Sequence, residues 1–310
     1  MNVPLVLVGV AVVLQAGSSG FLSGRLDGTQ SLLFSTVAFA LATVVFTAVE
    51  RVVRPGLRGN GLTLRTHLKP MAYMNVLTAV TFIGFYLSLA YVPASLAISV
   101  ETAIGPLVIA LANRVIRRRP GPASDYLVGS ALIICSAGLA LRLPSGSTDD
   151  LSTGALVIGV GLALLAGVGA AGLALLSERL GQLNVAPVTV TANRFHLTYL
   201  AALVLLALEP PTLSDVRSQV PLLLVLAVVA VVVPLYLLQV GLQRADPLKA
   251  MTLVTTMPGM TYLAQVAFGA AFDPWAFALT ALITVIAVGY AHASRRSPQR
   301  AETAVREAAL

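Results

Sequence analysis

Hydrophobic residues fall in ten long runs along this chain, separated by short connections rich in charge, Gly, Pro and Ser. The runs are Val3 to Phe21, Ser31 to Val49, Pro70 to Ala90, Ser95 to Asn113, Tyr126 to Leu143, Gly154 to Leu176, Pro187 to Leu208, Val220 to Gln239, Pro247 to Phe268 and Trp275 to Ala293. Each holds roughly 18 to 23 residues, and at about 1.5 Å per residue a helix of that length crosses about 30 Å of hydrocarbon. The longest connection, Glu50 to Lys69, is about twenty residues long and leaves no room for an inserted soluble domain. The first run ends in Gln15-Ala16-Gly17-Ser18-Ser19, which resembles a signal-peptide cleavage region. No Lys or Arg precedes it, so it reads as a retained helix.

Composition adds the solvent. Of 310 residues, 57% are hydrophobic and 11% charged, and the mean hydropathy is +0.88. A water-soluble domain cannot cover such a surface, so the expected fold is an all-α integral membrane protein with ten transmembrane helices, multi-pass in the cell membrane. The net charge of +7 then becomes a topology signal. One set of alternating loops holds Arg51, Arg54, Arg58, Arg65, Lys69, Arg114, Arg117, Arg118, Arg119, Arg179, Arg244 and Lys249, and the tail adds Arg295, Arg296, Arg300 and Arg306. The opposite loops hold Arg25, Arg142 and Arg217 together with Asp149-Asp150. The excess of basic residues marks the cytoplasmic side, which puts both termini there. Arginines scattered over short loops do not make a nucleic-acid surface.

An internal similarity divides the chain. Phe85-Tyr86-Leu87 returns as Leu235-Tyr236-Leu237, Gly84 corresponds to Pro234, and Gly105-Pro106 corresponds in reversed order to Pro258-Gly259, all at an offset of about 150 residues. Five helices per half make the second copy enter the membrane upside down, the inverted repeat of secondary transporters. The expected division is a first repeat over 1–148, a second over 149–293 and a cytoplasmic tail over 294–310. Pro106 and Pro258 each lie about 16 Å into their helices, near the midplane, where a proline frees a carbonyl. With Gly105 and Gly259 they are candidate helix-break or gating positions, set against a plain packing kink.

Ionisable residues in hydrocarbon are expensive and mark function or structural pairing. Two stand out. Glu101 lies about 10 Å below the outer surface on a face with Ala97 and Gly105, and reads as a proton-coupling or substrate-amine-binding carboxylate, or as a carboxylate bonded to neighbouring helices. Arg194, at similar depth from the inner side, reads as a substrate-carboxylate ligand, or as a structural or snorkelling residue. Gln15, Asn75, Tyr86, Tyr236 and Gln239 are polar candidates for a cavity, the two tyrosines being placed equivalently by the repeat. His196, Cys135 and Lys249 read as interfacial, packing and topology-anchoring residues. Gly167-Val168-Gly169-Ala170-Ala171-Gly172 satisfies a dinucleotide fingerprint in letters alone: no strand precedes it and no acid follows about twenty residues on, so close helix packing explains it.

The stretch Phe85-Tyr86-Leu87-Ser88-Leu89-Ala90-Tyr91-Val92-Pro93, followed by Ala97-Ile98-Ser99-Val100-Glu101-Thr102-Ala103-Ile104-Gly105-Pro106-Leu107, resembles the drug/metabolite transporter superfamily, within it the EamA-like branch that includes threonine and homoserine exporters. The resemblance implies ten helices in two inverted halves, a central cavity, alternating access and export of small metabolites such as amino acids, with proton coupling as an option. Such families often carry Glu beside the second-half proline and Gly-Glu at the end of that helix, where this chain has Thr256-Met257-Pro258 and Phe268-Gly269-Ala270. The expected partners are a small-molecule substrate, the bilayer and protons, with the protein a monomer or homodimer. No cofactor, metal or catalytic residue is expected. The alternatives are an integral membrane enzyme acting on lipid-like substrates, for which no HExxH, GxSxG or repeated Asp motif appears, and a non-transporting scaffold.

Overall fold

The computed structural model describes residues 3–53, 68–115, 123–142, 153–208 and 213–307. Arg54, Arg58, Arg65, the Arg117 to Arg119 loop and Asp149-Asp150 lie outside them, as do the side chains of Arg142, Arg217 and the C-terminal arginines. Every regular element among the described residues is a helix, and none is a strand. In order they form α1 (Val3–Leu22), α2 (Gly28–Val53), α3 (Leu68–Ser88), α4 (Ala94–Val115), α5 (Ala123–Arg142), α6 (Thr153–Gln182), α7 (Pro187–Asn193), α8 (His196–Leu208), α9 (Leu213–Ala227), a π-helical turn (Val228–Val232), α10 (Val233–Arg244), α11 (Pro247–Val254), α12 (Met257–Ala267) and α13 (Pro274–Glu307).

Among the described residues, seven helices are long and apolar enough to cross a membrane: α1, α2, α3, α4, α6, Pro187–Leu208 and Val220–Arg244. Two shorter apolar helices, Ala123–Leu139 and Pro274–Tyr290, correspond to the fifth and tenth hydrophobic runs. The ninth run is divided between α11 and α12.

Local chemistry explains where helices begin and stop. Asp27 and Gln30 form a reciprocal capping box at the start of α2, the Gln30 N–H donating to Asp27 Oδ1 at 2.7 Å and the Asp27 N–H to Gln30 Oε1 at 3.2 Å. Asp246 caps α11 by accepting from the Lys249 N–H at 3.0 Å, with Pro247 opening the helix. Asn184 closes α6 in the left-handed conformation, φ 56°, where the Val185 N–H reaches back to the Leu180 carbonyl. Pro234, which has no N–H for the carbonyl four residues back, follows directly on the π turn that absorbs the mismatch.

Burial runs opposite to a soluble core. Val44, Val52, Leu127, Ile134, Val157, Val204, Val225 and Val285 are exposed around the perimeter, as expected where lipid is the solvent. Inside, Ser and Thr are frequent, including Ser35, Thr78, Ser99, Thr102, Ser136, Ser177 and Thr255. Most of these hydroxyls donate to the carbonyl one turn back, such as Ser99 to Ser95 at 2.6 Å and Thr102 to Ile98 at 2.7 Å. Ser136 also crosses between helices to the Ser99 carbonyl at 2.9 Å.

α6 packs along α3 and α4, and α1 packs along α10, α11 and α12. α2 lies against α7 and α8, α4 against α11 and α12, and α5 against α13. At one end of the bundle Gly241 of α10 meets Pro4 and Val8 of α1, and Gly181 of α6 meets Gln243. At the other, Gly20 of α1 meets Thr261 and Gln265 of α12, and Gly159 of α6 meets Tyr91 and Val92. The glycines of the dinucleotide-like motif are packing contacts of this kind: Gly167 faces the Glu101 carbonyl and Ile104, Gly169 faces Thr81, and Gly172 faces Leu77.

Candidate functional site

The seventh run is interrupted where its charged residue stands. α7 ends at Asn193, Arg194 and Phe195 are non-helical, and α8 begins at His196. A break in hydrocarbon leaves backbone groups that need partners. Asn75 of α3 supplies them: its Nδ2 donates to the Asn193 carbonyl at 2.6 Å and to the Met71 carbonyl at 3.0 Å, while its Oδ1 accepts from the Leu197 N–H at 3.2 Å. The side-chain amide thus spans the bend. Asn75→Leu is expected to lose both cross-helix bonds and destabilise the fold by about 1–3 kcal/mol for the orphaned groups, while Asn75→Gln, which reaches farther, should recover part of it. Thermal unfolding in detergent checks this; equal melting temperatures for wild type and Asn75→Leu would refute the bracing role.

The bend turns Arg194 inward. Its side chain is 3% exposed, with Nε donating to Thr78 Oγ1 at 3.3 Å and Nη1 to Gln239 Oε1 at 2.7 Å. Its guanidinium carbon sits 5.2 Å from the Phe195 ring centre. Ser177 Oγ donates to the same Gln239 oxygen at 3.2 Å. Arg194, Gln239, Thr78 and Ser177 therefore knit α3, α6, α10 and the α7–α8 break together. Gln239 is fully buried, and its Nε2 has no hydrogen-bond partner among the described residues.

Phe195 leads to the second part of the site. Its ring lies 5.4 Å from Phe39, which lies 4.9 Å from Phe82 and 6.3 Å from Tyr86. Tyr86 makes edge contacts with Phe34 at 5.1 Å and Phe85 at 5.2 Å. The Glu101 carboxylate stands within electrostatic reach of the Tyr86 hydroxyl. Glu101 is half-buried, and the structure shows it no hydrogen-bond or ion-pair partner among the described residues. Its backbone is fixed by Gly167, whose lack of a Cβ lets α6 lie against the Glu101 carbonyl.

Of the remaining candidates, Tyr236 is partly buried and stacks on Phe46 at 5.5 Å, and Gln15 is partly exposed on α1. Gly105 faces the Met251 methyl, and Gly259 faces Thr284. The two prolines behave differently. α4 stays helical through Pro106, whereas the ninth run breaks at Thr255 and Thr256, just before Pro258. The difference follows from surroundings: α4 has 72% of its apolar window buried, the largest share of any candidate span, so packing on all sides holds one missing hydrogen bond in place.

Residues 157–290 match the EamA-like transporter family. That segment runs from within α6 to within α13. Among solved structures, one described only as the crystal structure of a protein has the same fold, with a TM-score of 0.67 over 93% of this chain and 96% of its own, at 18% identity. No curated protein sequence matches the chain.

The EamA-like segment supplies Arg194, Ser177 and Gln239, while Thr78, Tyr86 and Glu101 come from the preceding helices. Thr78 and Ser177 were not singled out in the sequence, since a hydroxyl within an apolar run gives no signal until its partner is seen. A further group is assembled at the opposite end of α1. Arg25 donates to the Phe21 and Phe268 carbonyls, so it caps the ends of both α1 and α12. It also lies 4.3 Å from the Phe21 ring centre and 5.9 Å from that of Phe268. Gln265 Nε2 donates to Ser23 Oγ at 2.6 Å beside them. Together with Gly20, Gly24, Gly269 and Ala270 they line a cavity of about 270 Å³. Gly269, at φ 104°, takes a turn that a side chain would strain.

Proposed function

We propose that this protein is a secondary transporter that moves a small molecule through the bilayer by alternating access between two inverted five-helix halves, 1–148 and 149–293, with ten spans. The observation that carries the reading is the exchange of packing partners. When each helix is replaced by its counterpart five runs on, α1 against α10 and α12 becomes α6 against α3 and α4, and α4 against α5 becomes α12 against α13. α3 against α8 likewise becomes the pair α9 and α2, while α2 with α7–α8, α4 with α11–α12 and α5 with α13 map onto themselves. The exchange is imperfect where α6 leans on α10 more than α1 leans on α3. Such a bundle has two equivalent packings related by a twofold axis in the membrane plane, which is the physical requirement for opening to either side.

Glu101 and Arg194 are the charged groups of the proposed route, one in the outer half and one in the inner. Glu101 carries a proton or binds a substrate amine. The family match over residues 157–290 supports placement in the drug/metabolite transporter superfamily. A metabolite substrate such as an amino acid or related compound, with export as the direction, follows from the resemblance of the Phe85 to Leu107 stretch alone. Orientation with both termini cytoplasmic is supported by the ends of the bundle: Arg51, Lys69, Arg114, Arg179, Arg244 and Lys249 lie at one end, and Arg25 at the other.

The test is made in liposomes holding the purified protein. A panel of amino acids and related metabolites is followed with and without a proton gradient, and a thiol placed at position 149 in a Cys135→Ala background reports sidedness. Transport of at least one compound well above empty vesicles is expected. No flux of any compound, in either direction or by exchange, would sink the proposal.

A further inference from the structure

Charge and hydrogen-bond accounting at Arg194 points to a specific ligand chemistry. Every partner the structure shows for this guanidinium is neutral: the Thr78 hydroxyl, the Gln239 amide oxygen and the Phe195 ring. No anion among the described residues faces this guanidinium, which is 3% exposed within the bilayer. Beside it, the Gln239 amide has turned its oxygen towards two donors, Arg194 and Ser177, and its Nε2 is left buried and unpartnered. Inverting the amide is disfavoured, because its nitrogen would then face the Arg194 Nη1, which can only donate. The orphaned N–H group is thus fixed by its neighbours. A buried cation at the α7–α8 break and a buried spare donor on α10 are complementary to one kind of group: an oxyanion that accepts from both.

We propose that Arg194 and Gln239 form an oxyanion subsite and that the transported molecule carries a carboxylate or a phosphate. This deepens the transport reading and rests on it. The oxyanion takes the guanidinium edge now held by Gln239 Oε1 and accepts from Gln239 Nε2, and Ser177 and Thr78 keep the two side chains in place. Because Gln239 and Arg194 belong to different elements, α10 and the α7–α8 break, arrival of the anion exchanges a contact between them for contacts to the ligand. Substrate recognition is thereby tied to the separation of these elements. Glu101 stands in the other half of the bundle, so the anionic group and the carboxylate do not compete for one place.

Gln239→Glu is the decisive variant, since it keeps the shape and supplies the missing anion from the protein itself. Melting temperatures are measured in detergent for wild type, Gln239→Glu and Arg194→Gln, with sodium acetate, succinate, benzoate or inorganic phosphate against chloride at equal ionic strength. In the wild type at least one of these anions is expected to raise the melting temperature by roughly 2–5 °C. Gln239→Glu is expected to be folded, to melt above the anion-free wild type, and to lose both the anion response and flux. Arg194→Gln should lose the anion response. No anion response in the wild type, a response that survives in Arg194→Gln, or a Gln239→Glu protein that melts below wild type would each overturn the subsite. An anion response without flux of any compound would instead remove the transport reading and leave the subsite standing.

Discussion

Glu101→Gln is expected to reach the membrane folded and to lose the proposed transport. The side chain keeps its length and much of its hydrogen-bonding capacity, and the packing that fixes its backbone, Gly167 against the Glu101 carbonyl, does not involve the carboxylate. The structure gives that carboxylate no partner whose loss would unfold the protein, so stability should change little. What disappears is a titratable carboxyl within electrostatic reach of Tyr86. A charged group in hydrocarbon interacts with a proton or a cationic ligand by several kcal/mol, so a fall of roughly 100-fold in rate or affinity is the expected scale. Two roles give different patterns. If Glu101 carries the coupling proton, gradient-driven flux is lost while exchange of labelled for unlabelled substrate persists. If it binds a substrate amine, affinity falls with and without a gradient. Wild-type transport by Glu101→Gln across the pH range would return the carboxylate to a structural role.

The second large effect is steric and compares two glycines of one helix. A Cβ on Gly167 would press into the Glu101 carbonyl and Ile104 more closely than any real Cβ contact, whereas a Cβ on Gly161 meets nothing within 4 Å. Backbone cannot give way as a flexible side chain can. Gly167→Ala should therefore destabilise by about 1–3 kcal/mol, and Gly167→Val by more, because α6 must be pushed off α4. The melting temperature should fall by roughly 2–12 °C for Ala, on a scale of about 2–4 °C per kcal/mol. Gly161→Ala should be neutral, or gain a few tenths of a kcal/mol from helix propensity. Equal melting temperatures for the two alanine variants would show that the α4–α6 seam is looser than described.

Much of this architecture could be read from hydropathy, because each apolar run had to be as long as the hydrocarbon is thick. The ends of α1 through α5 fall within a few residues of the runs that predict them, while α6 continues past Leu176 to Gln182. Glu101 and Arg194 were visible for a similar reason, a charge being conspicuous in an apolar run. What hydropathy averages away is the interior. Thr78 and Ser177 hold the surroundings of Arg194, yet a single hydroxyl changes a running mean of hydropathy little. Asn75 could be seen as polar, but its role depends on a break 118 residues away that no local pattern announces. The two breaks have different origins: one precedes Pro258, while the other, at Arg194, has no proline and exists through the tertiary bonds that satisfy it. The same reasoning explains the unequal prolines, since a single residue type gave a break in a divided helix and none in the helix packed on all sides.

The π turn at Val228–Val232 has an angular consequence for Gln239. An α-helix advances 100° per residue, so the one extra residue of a π turn rotates everything after it by about that amount. The valine-rich front of the eighth run and the Tyr236 to Gln239 segment are therefore out of phase as a single 3.6-residue pattern. The faces that meet the bundle before and after Val232 are different stripes of the sequence. Shortening this turn by one residue would restore a continuous helix and carry the Gln239 amide about a quarter-turn away from Arg194.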